Sequence, residues 1–527
     1  MASNLNAKRR RILKGGIAAG SLFLPQPWAW VWAQSEGTVK LLKAPKLALV
    51  VGNGKYKDAP ELKNPPNDAK AVGEALKASG FEVTMKIDTG REELVAAIRD
   101  YVHLVEQRKC VGLFYFAGHG VQLAWRNYML PIDAVIDKIG DMATQSVDIE
   151  RLMQGLTKAA NPMNVIILDA CRENPFGKDF RVEHKGLSQM DAPNLTLLAY
   201  ATSPGNVASD GEGSNGLYTE NLLREIKVPE AKIEDVFKRV RLAVRKKTNG
   251  AQIPWESTSL EEDFWFIPPK ALQRQSEEEQ QRLFEEELAL WEKIDGAKSP
   301  GPFEDYLRRY PGGKFTELAQ LQLERALARA GEKKIEIVQQ KDNPYTKGSA
   351  IADTAYKVGD TYVYRILDLK TRAEKRIQTG TVVKITDGEV VYDSGNVTDL
   401  LGNVLRNRDG RRFSPRQQYP LEYAVGRQWH SRFTASTRRG DKEGVTDTDS
   451  RIVTRETVTV PAGTFFAFRV EANGRTVFND ETSMSKVKRW HAPDQVRRVV
   501  AYEEVLLRGD GRVAIAERAE LVSFKQS

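Results

Sequence analysis

One run constrains this chain more than any other: Asn164-Val165-Ile166-Ile167-Leu168-Asp169-Ala170-Cys171-Arg172, a β-branched stretch that stops at a carboxylate and, two residues later, at one of only two cysteines in 527 residues. It reads as a buried strand with a thiol at its end. A second apolar run, Val111-Gly112-Leu113-Phe114-Tyr115-Phe116-Ala117, finishes in Gly118-His119-Gly120, fifty-two positions separating the histidine from Cys171. Continuous apolar strands separated by helical stretches imply a parallel sheet covered on both faces, and such sheets place their chemistry beyond the carboxyl ends of the strands. His119 and Cys171 then form a Cys/His dyad. A thiol with an unperturbed pKa of about 8.5 is mostly protonated at neutral pH, so a neighbouring imidazole has to take its proton before it can attack a carbonyl. Glycines on both sides of His119 let backbone approach a substrate and offer an N–H to an oxyanion.

The surrounding chain keeps a βαβ rhythm. Leu47 to Val51 is an apolar strand ending at Gly52-Asn53-Gly54, which reads as a plain turn, since a phosphate loop needs a third glycine or a Lys-Ser/Thr. Asn64-Pro65-Pro66-Asn67-Asp68 supplies a turn and an N-cap, and helical spacing follows from Ala69 to Ser79. Phe81 to Val83 is the next strand and Arg91 to Gln107 the next helix. Beyond Cys171 a polar stretch without period reads as a surface loop. Leu195 to Ala201 is a further strand, Leu217 to Ile226 and Ile233 to Lys247 are helices, and Trp265-Phe266-Ile267-Pro268-Pro269 closes the unit.

These residues resemble the caspase-like clan of cysteine peptidases, and within it the bacterial metacaspase-type members of the peptidase C14 family. The resemblance rests on Phe116-Ala117-Gly118-His119-Gly120, Asn127-Tyr128-Met129-Leu130-Pro131-Ile132-Asp133, Asp169-Ala170-Cys171-Arg172-Glu173 and Ala199-Tyr200-Ala201-Thr202-Ser203-Pro204-Gly205, collinear across residues 45–268. Caspases carry Gln-Ala-Cys with a glycine two residues after the thiol, so this chain departs at Asp169 and Glu173. The resemblance implies a cysteine endopeptidase acting on peptides or proteins, with Cys171 as nucleophile, His119 as base and then acid, and the backbone N–H groups of Gly120 and Cys171 as oxyanion donors. It also implies substrate contacts from Tyr200, Ala201 and Thr202, and self-processing in the loop that carries Lys178, Arg181 and Lys185. Asp169 replaces a neutral glutamine, and Asp68 matches a second acidic pocket residue of metacaspase-type relatives, although its position also suits a helix cap. Two such carboxylates favour cleavage after Arg, then Lys. No cofactor is required on this reading; calcium activation is left open, with no acidic ligands assigned. The competing expectation is a catalytically idle caspase-fold scaffold or sensor acting through the C-terminal part.

The remainder divides by composition. Residues 1–33 read as a twin-arginine-type export signal, with Lys8-Arg9-Arg10-Arg11 before an apolar core closed by Pro25 and Pro27. A periplasmic or secreted product is expected, with membrane attachment only through an uncleaved signal. Export exposes thiols to oxidation, but Cys110 and Cys171 fall at opposite ends of neighbouring strands, some 25 Å apart, where bridged Cα atoms need about 7 Å or less. Residues 270–334 shift to Glu, Gln, Leu, Arg and Ala and read as a small helical hairpin region, a packed spacer. Residues 345–527 alternate in short segments with turn signals, a C-terminal all-β domain built as a sandwich or open barrel, its binding partner unknown. His430 and His491 lie far apart without cysteine, so no metal site is assigned. Lys and Arg exceed Asp and Glu by 79 to 71, a formal net charge of +8, and with part of that excess in the leader, nucleic acid is not an expected partner.

Overall fold

The computed structural model describes residues 37–171, 186–206, 208, 213–269, 277–332, 343–436, 443–478 and 481–527. The expected export signal, the basic loop residues Lys178, Arg181 and Lys185, and the side chain of Cys171 lie outside the described residues. Among those described, no helix is long and apolar enough to cross a membrane.

The first sheet contains β1 (Lys46–Gly52), β2 (Glu82–Ile87), β3 (Val111–Leu123), β4 (Arg126–Met129), β5 (Val147–Asp148), β6 (Met163–Cys171), β7 (Thr196–Tyr200) and β8 (Trp255–Thr258). Its order is β2-β1-β3-β6-β7-β8. All neighbours on that path run parallel except β7 and β8, so the sheet is mainly parallel, as the apolar runs imply. Helices α1 (Pro65–Ala78), α2 (Arg91–Arg108), α3 (Ile149–Ala159), α4 (Leu217–Ile226) and α5 (Ile233–Lys247) flank it. Leu113 to Phe116 and Val165 to Leu168 are buried residue after residue, because neither face of a covered parallel sheet meets water. Each such Leu, Ile or Phe contributes roughly 1.5–3 kcal/mol by leaving solvent.

Two local expectations need correction. β3 does not stop at Gly118-His119-Gly120; it runs on to Leu123 and returns as the antiparallel β4. Helix α1 begins at Pro65, not after Asp68, because proline is tolerated in the first helical turn. Gly52-Asn53-Gly54 is the expected turn. Asn53 knots it to the rest, donating Nδ2 to Leu130 O at 3.1 Å and accepting on Oδ1 from Thr89 N at 3.0 Å and Thr89 Oγ1 at 3.1 Å.

Residues 277–332 form three helices, not a hairpin: α6 (Glu277–Ile294), α7 (Gly301–Arg309) and α8 (Thr316–Arg329). The Tyr310-Pro311-Gly312-Gly313 break separates the last two. Their aromatics, Trp291, Phe303, Tyr306 and Phe315, share one core with Tyr362, Val382 and Tyr392 of the β region. Buried Glu317 of α8 accepts from Leu421 N at 2.8 Å and pairs with Arg427.

The C-terminal region is an eleven-stranded antiparallel sheet whose edges are Val404–Arg406 and Gln428–Ser436. The expectation of a sandwich or open barrel is corrected here as well, because residues 411–414 join the two edges. Phe413 N donates to Leu405 O at 2.9 Å on one side, and Ser414 N donates to Thr434 O at 3.0 Å on the other. The hydrogen-bonded ring is closed, which removes both exposed edges. The ring meets the α/β unit at Asp191, which accepts from Thr346 Oγ1 at 2.6 Å and Lys347 N at 2.9 Å, and at Gln189 O, which accepts from Asn343 Nδ2 at 2.7 Å.

Candidate active site

The site is built where β3 and β6 stop being regular. Their parallel register runs from Val111 opposite Met163 to Ala117 opposite Asp169, then shifts so that Gly120 stands opposite Cys171. β3 spends one residue more than β6 over this step, a bulge that re-aims the side chain within it. That side chain is His119. A Cβ on Gly118, whose φ is +156°, would lie 2.5 Å from Tyr56 Oη, and one on Gly120 would lie 2.5 Å from Ala170 O. Both flanking positions therefore require glycine, for close approach of protein backbone and side chain.

His119 is 4 % exposed. Its main-chain N–H donates to Tyr56 Oη at 2.8 Å, and the two rings lie 4.6 Å apart. Nε2 stands 2.8 Å from Pro60 O. A carbonyl oxygen can only accept, so Nε2 carries the hydrogen and the neutral ring keeps its lone pair on Nδ1. Nδ1 is thus the nitrogen equipped to take a proton. Leu130 N donates to His119 O at 3.0 Å, which makes Gly120 and Met129 a non-hydrogen-bonded pair and turns the Gly120 N–H from β4 toward β6. The main chain of Cys171 closes β6 directly across from it.

The two expected pocket carboxylates are both buried, and both act electrostatically on the Tyr115 phenol. Asp169, 4 % exposed, accepts on Oδ2 from Thr219 Oγ1 at 2.8 Å, and Tyr115 Oη lies 2.6 Å from the same Thr219 oxygen. Since the Thr219 hydrogen goes to the carboxylate, Tyr115 donates to Thr219. Asp68, 1 % exposed, accepts on Oδ1 from Asn215 Nδ2 and Gly216 N, both at 2.9 Å. It ties α1 to the chain entering α4, which displaces the helix-cap reading. Burial first, then the charges of Asp169 and Asp68, hold the Tyr115 phenol well above its ordinary pKa. Tyr200, Ala201 and Thr202 sit at the end of β7, on the side of β6 away from His119. Ala201 already spends its N–H on Leu168 O at 3.0 Å and its carbonyl on Gln252 Nε2 at 2.8 Å.

Sequence reasoning missed Tyr56, Pro60, Thr219 and Tyr115. Pro60 acts through a carbonyl that leaves no side-chain signal, and Thr219 is hidden in an ordinary helical pattern. Cys110 is a free, buried thiol whose pKa burial pushes to about 11, so it is an inert core residue. Among the described residues no cluster of three His, Cys, Asp or Glu could hold a metal.

A mainly parallel α/β sheet with a bulged histidine beside the strand end that carries a cysteine is the architecture of caspase-fold cysteine peptidases. Residues 45–265 match the family model described as Peptidase_C14, caspase domain. Mucosa-associated lymphoid tissue lymphoma translocation protein 1 of Homo sapiens is 28 % identical over 196 residues, covering 36 % of this chain and 22 % of that protein. Its Mus musculus homolog is 28 % identical over 194 residues, with the same coverage. The chain spans about a fifth of the length of these curated relatives. Over residues 45–265 the chain is similar to the caspase-like peptidase family.

Proposed function

We propose that the α/β unit is a cysteine endopeptidase that cleaves after basic residues, Arg ahead of Lys. The observation that carries this is His119: Nε2–H fixed on Pro60 O, Nδ1 left as base, and the adjoining Gly120 paired with Cys171. In the reaction, Cys171 loses its proton to Nδ1 as sulfur bonds to the scissile carbonyl carbon. The oxyanion that forms is met by the N–H groups of Gly120 and Cys171; one such donor is typically worth a factor of about 10² to 10³. His119 returns the proton to the departing amine as the C–N bond breaks, and water then releases the acyl group from sulfur.

Asp68 and Asp169 support the preference for a cation. At 4 Å and an effective dielectric near 20 an ion pair is worth about 4 kcal/mol before desolvation, so even a quarter surviving gives roughly fivefold per carboxylate. Arg leads because its planar fork can engage both. Matched peptides with Arg, Lys, Asp or Ala before the scissile bond test the assignment. Arg is expected fastest, with no turnover by Cys171→Ala; an Asp peptide turned over as fast as the Arg peptide refutes the pocket.

One observation favours the second reading, an idle scaffold. Asp68 Oδ1 and Asp169 Oδ2 are already bonded inside the protein, as a purely structural pair would be. Labelling of Cys171 by an Arg-peptide electrophile no faster than a free thiol, and no slower in His119→Ala, would select that reading.

A further inference from the structure

Three arginines in the ring make no ion pair among the described residues. The ring's outward face pairs its cations, Arg365 with Glu520 at 2.7 Å and Arg518 with Glu503 at 2.7 Å; on the face that carries Arg489, Arg376 pairs with Glu517 at 2.9 Å. Arg416, Arg489 and Arg498 differ, since no carboxylate of the described residues comes within 4 Å of any of them. Arg416 is 7 % exposed and held between the rings of Phe413 and Phe433, 4.2 and 4.7 Å from their centroids, with no hydrogen-bond partner on Nε. Burial lowers its pKa to about 10, which still leaves it charged at neutral pH.

The three converge on Tyr419. Arg489 lies 5.6 Å from its ring, and Arg498, which donates to Gly402 O at 3.4 Å, stands at the same turn, where a Cβ built on Gly402 would lie 3.8 Å from the Tyr419 ring. Strand register sets Arg489 opposite Val470 and His491 opposite Phe468, both wholly buried, so both point to the inner wall. His491 is 6 % exposed, stands 4.8 Å from Tyr419 and 5.4 Å from Tyr423, and has no partner on Nε2. Burial, then Arg489 and Arg498, drive its pKa down to about 3, so the ring stays neutral and can donate a hydrogen bond. The acidic groups that act on Arg416 are Asp399 and Glu504. Asp399 is committed elsewhere, to Leu401 N, Asn403 N and Asn403 Nδ2 at 2.9, 2.8 and 2.7 Å.

A buried cation without a hydrogen bond or ion pair is a large cost to leave uncompensated, and replacing it by an apolar residue is often neutral or stabilising. Arg416 is such a cation, and two further half-buried arginines, Arg489 and Arg498, stand about the same aromatic wall without a carboxylate partner, which points to a ligand that supplies the missing charge. We propose that the interior of the ring about Tyr419 is a receptor for an organic oxyanion, a phosphate ester or carboxylate with an apolar body, held by Arg416, Arg489 and Arg498 beside Phe433, Tyr419 and Tyr423. Planar guanidinium forks bind such oxyanions bidentately, and the aromatic faces accept the apolar remainder.

The full chain tests this by thermal unfolding. Inorganic phosphate, octanoate and phosphatidylglycerol vesicles are titrated separately, with chloride at matched ionic strength and phosphatidylcholine vesicles as controls. A saturable rise in the ring's Tm, of the order of 5 °C at a hundredfold excess over the dissociation constant, is expected for at least one probe and is lost in Arg489→Gln. A response to free phosphate or octanoate assigns a soluble ligand, and a response to phosphatidylglycerol alone assigns a lipid headgroup. Arg416→Met is expected to unfold no earlier than wild type while losing the response. No saturable shift with any probe, an equal shift in Arg489→Gln, or early unfolding of Arg416→Met each overturns the proposal.

Discussion

The α/β unit and the C-terminal ring treat buried polar groups in opposite ways. In the α/β unit the strand bodies are largely apolar, and the polar residues about the site are bonded within the protein: Asn53 with Thr89 and Leu130, Tyr115 with Thr219, Thr219 with Asp169, and Asp68 with Asn215 and Gly216. The ring carries charge on both faces of its strands. One face pairs Arg365 with Glu520 and Arg518 with Glu503; on the other, Arg489 and His491 stand with Arg416 among aromatics. A parallel sheet covered by helices has only its carboxyl edge free for chemistry, whereas a closed antiparallel ring can present every second residue of each strand to its interior. Function is therefore expected at an edge in one region and on a wall in the other.

The largest effect that can break this contrast is catalytic. Cys171→Ala and His119→Ala are each expected to lower turnover of an Arg peptide by about 10³-fold or more, since members of a catalytic unit fail together. The ring's unfolding should not move in either variant. Retained turnover in His119→Ala would mean that the bulge in β3 has another purpose.

Next is stability at the strand ends. Asn53→Ala leaves Thr89 N and Leu130 O without their partner in a fully buried position, at a cost of roughly 2–4 kcal/mol by the usual penalty for unpaired buried groups. Only the α/β transition in a thermal scan should shift; a change under about 0.5 kcal/mol, the range of a neutral surface substitution, would show that the turn is not held by this side chain.

The ring gives a pH signature of similar size. Burial raises Asp399 from the ordinary carboxylate range to about 6, against the hydrogen bonds from Asn403 and Leu401. The folded ring then keeps a proton that the unfolded chain has lost. Its contribution is fully present below about pH 4 and disappears as pH rises through 6, at most about 3 kcal/mol over that window. Urea unfolding of wild type and Asp399→Asn at pH 4 and pH 7 isolates it: stability should change less favourably from pH 4 to 7 in wild type than in the variant. Parallel pH dependence in the two would remove Asp399 from the account.

How legible these regions were in the sequence follows from the same contrast. The strand bodies are runs of apolar residues and the helices have a clean period, so 217–226 and 233–247 coincide with α4 and α5. His119, Asp68 and Asp169 are all found at the carboxyl edge of the sheet. The bulge was not legible, because Gly118 and Gly120 read as the end of a strand when each in fact makes room for a close neighbour. Nor was Pro60, whose carbonyl could belong to any residue. In the ring, alternation identified strands such as Thr361–Asp368, but closure depends on four residues, 411–414, with no strand pattern of their own. Pairing of Arg365 with Glu520 and its absence at Arg489 look alike in one dimension.

The smallest effect separates the two carboxylates. Asp169 meets a hydroxyl that is free to turn, whereas Asp68 holds main-chain Gly216 and so fixes the entry to α4. Asp169→Asn should therefore lower the Arg-over-Ala preference by about fivefold, the surviving quarter of an ion pair, with little change in stability, since Thr219 can donate to the amide oxygen or accept from its nitrogen. Asp68→Asn should lose a similar preference, and it also weakens a charge-assisted bond to Gly216, so its α/β transition should fall by about 1–2 kcal/mol. Thr219→Val is the control: it leaves both charges and unties Asp169 from Tyr115, so it should keep the preference for Arg while stability falls. Ratios of kcat/KM for the matched peptides, read beside the thermal scans, decide the matter. If Thr219→Val abolishes the Arg preference as fully as Asp169→Asn, the hydroxyl network and not the charge sets specificity.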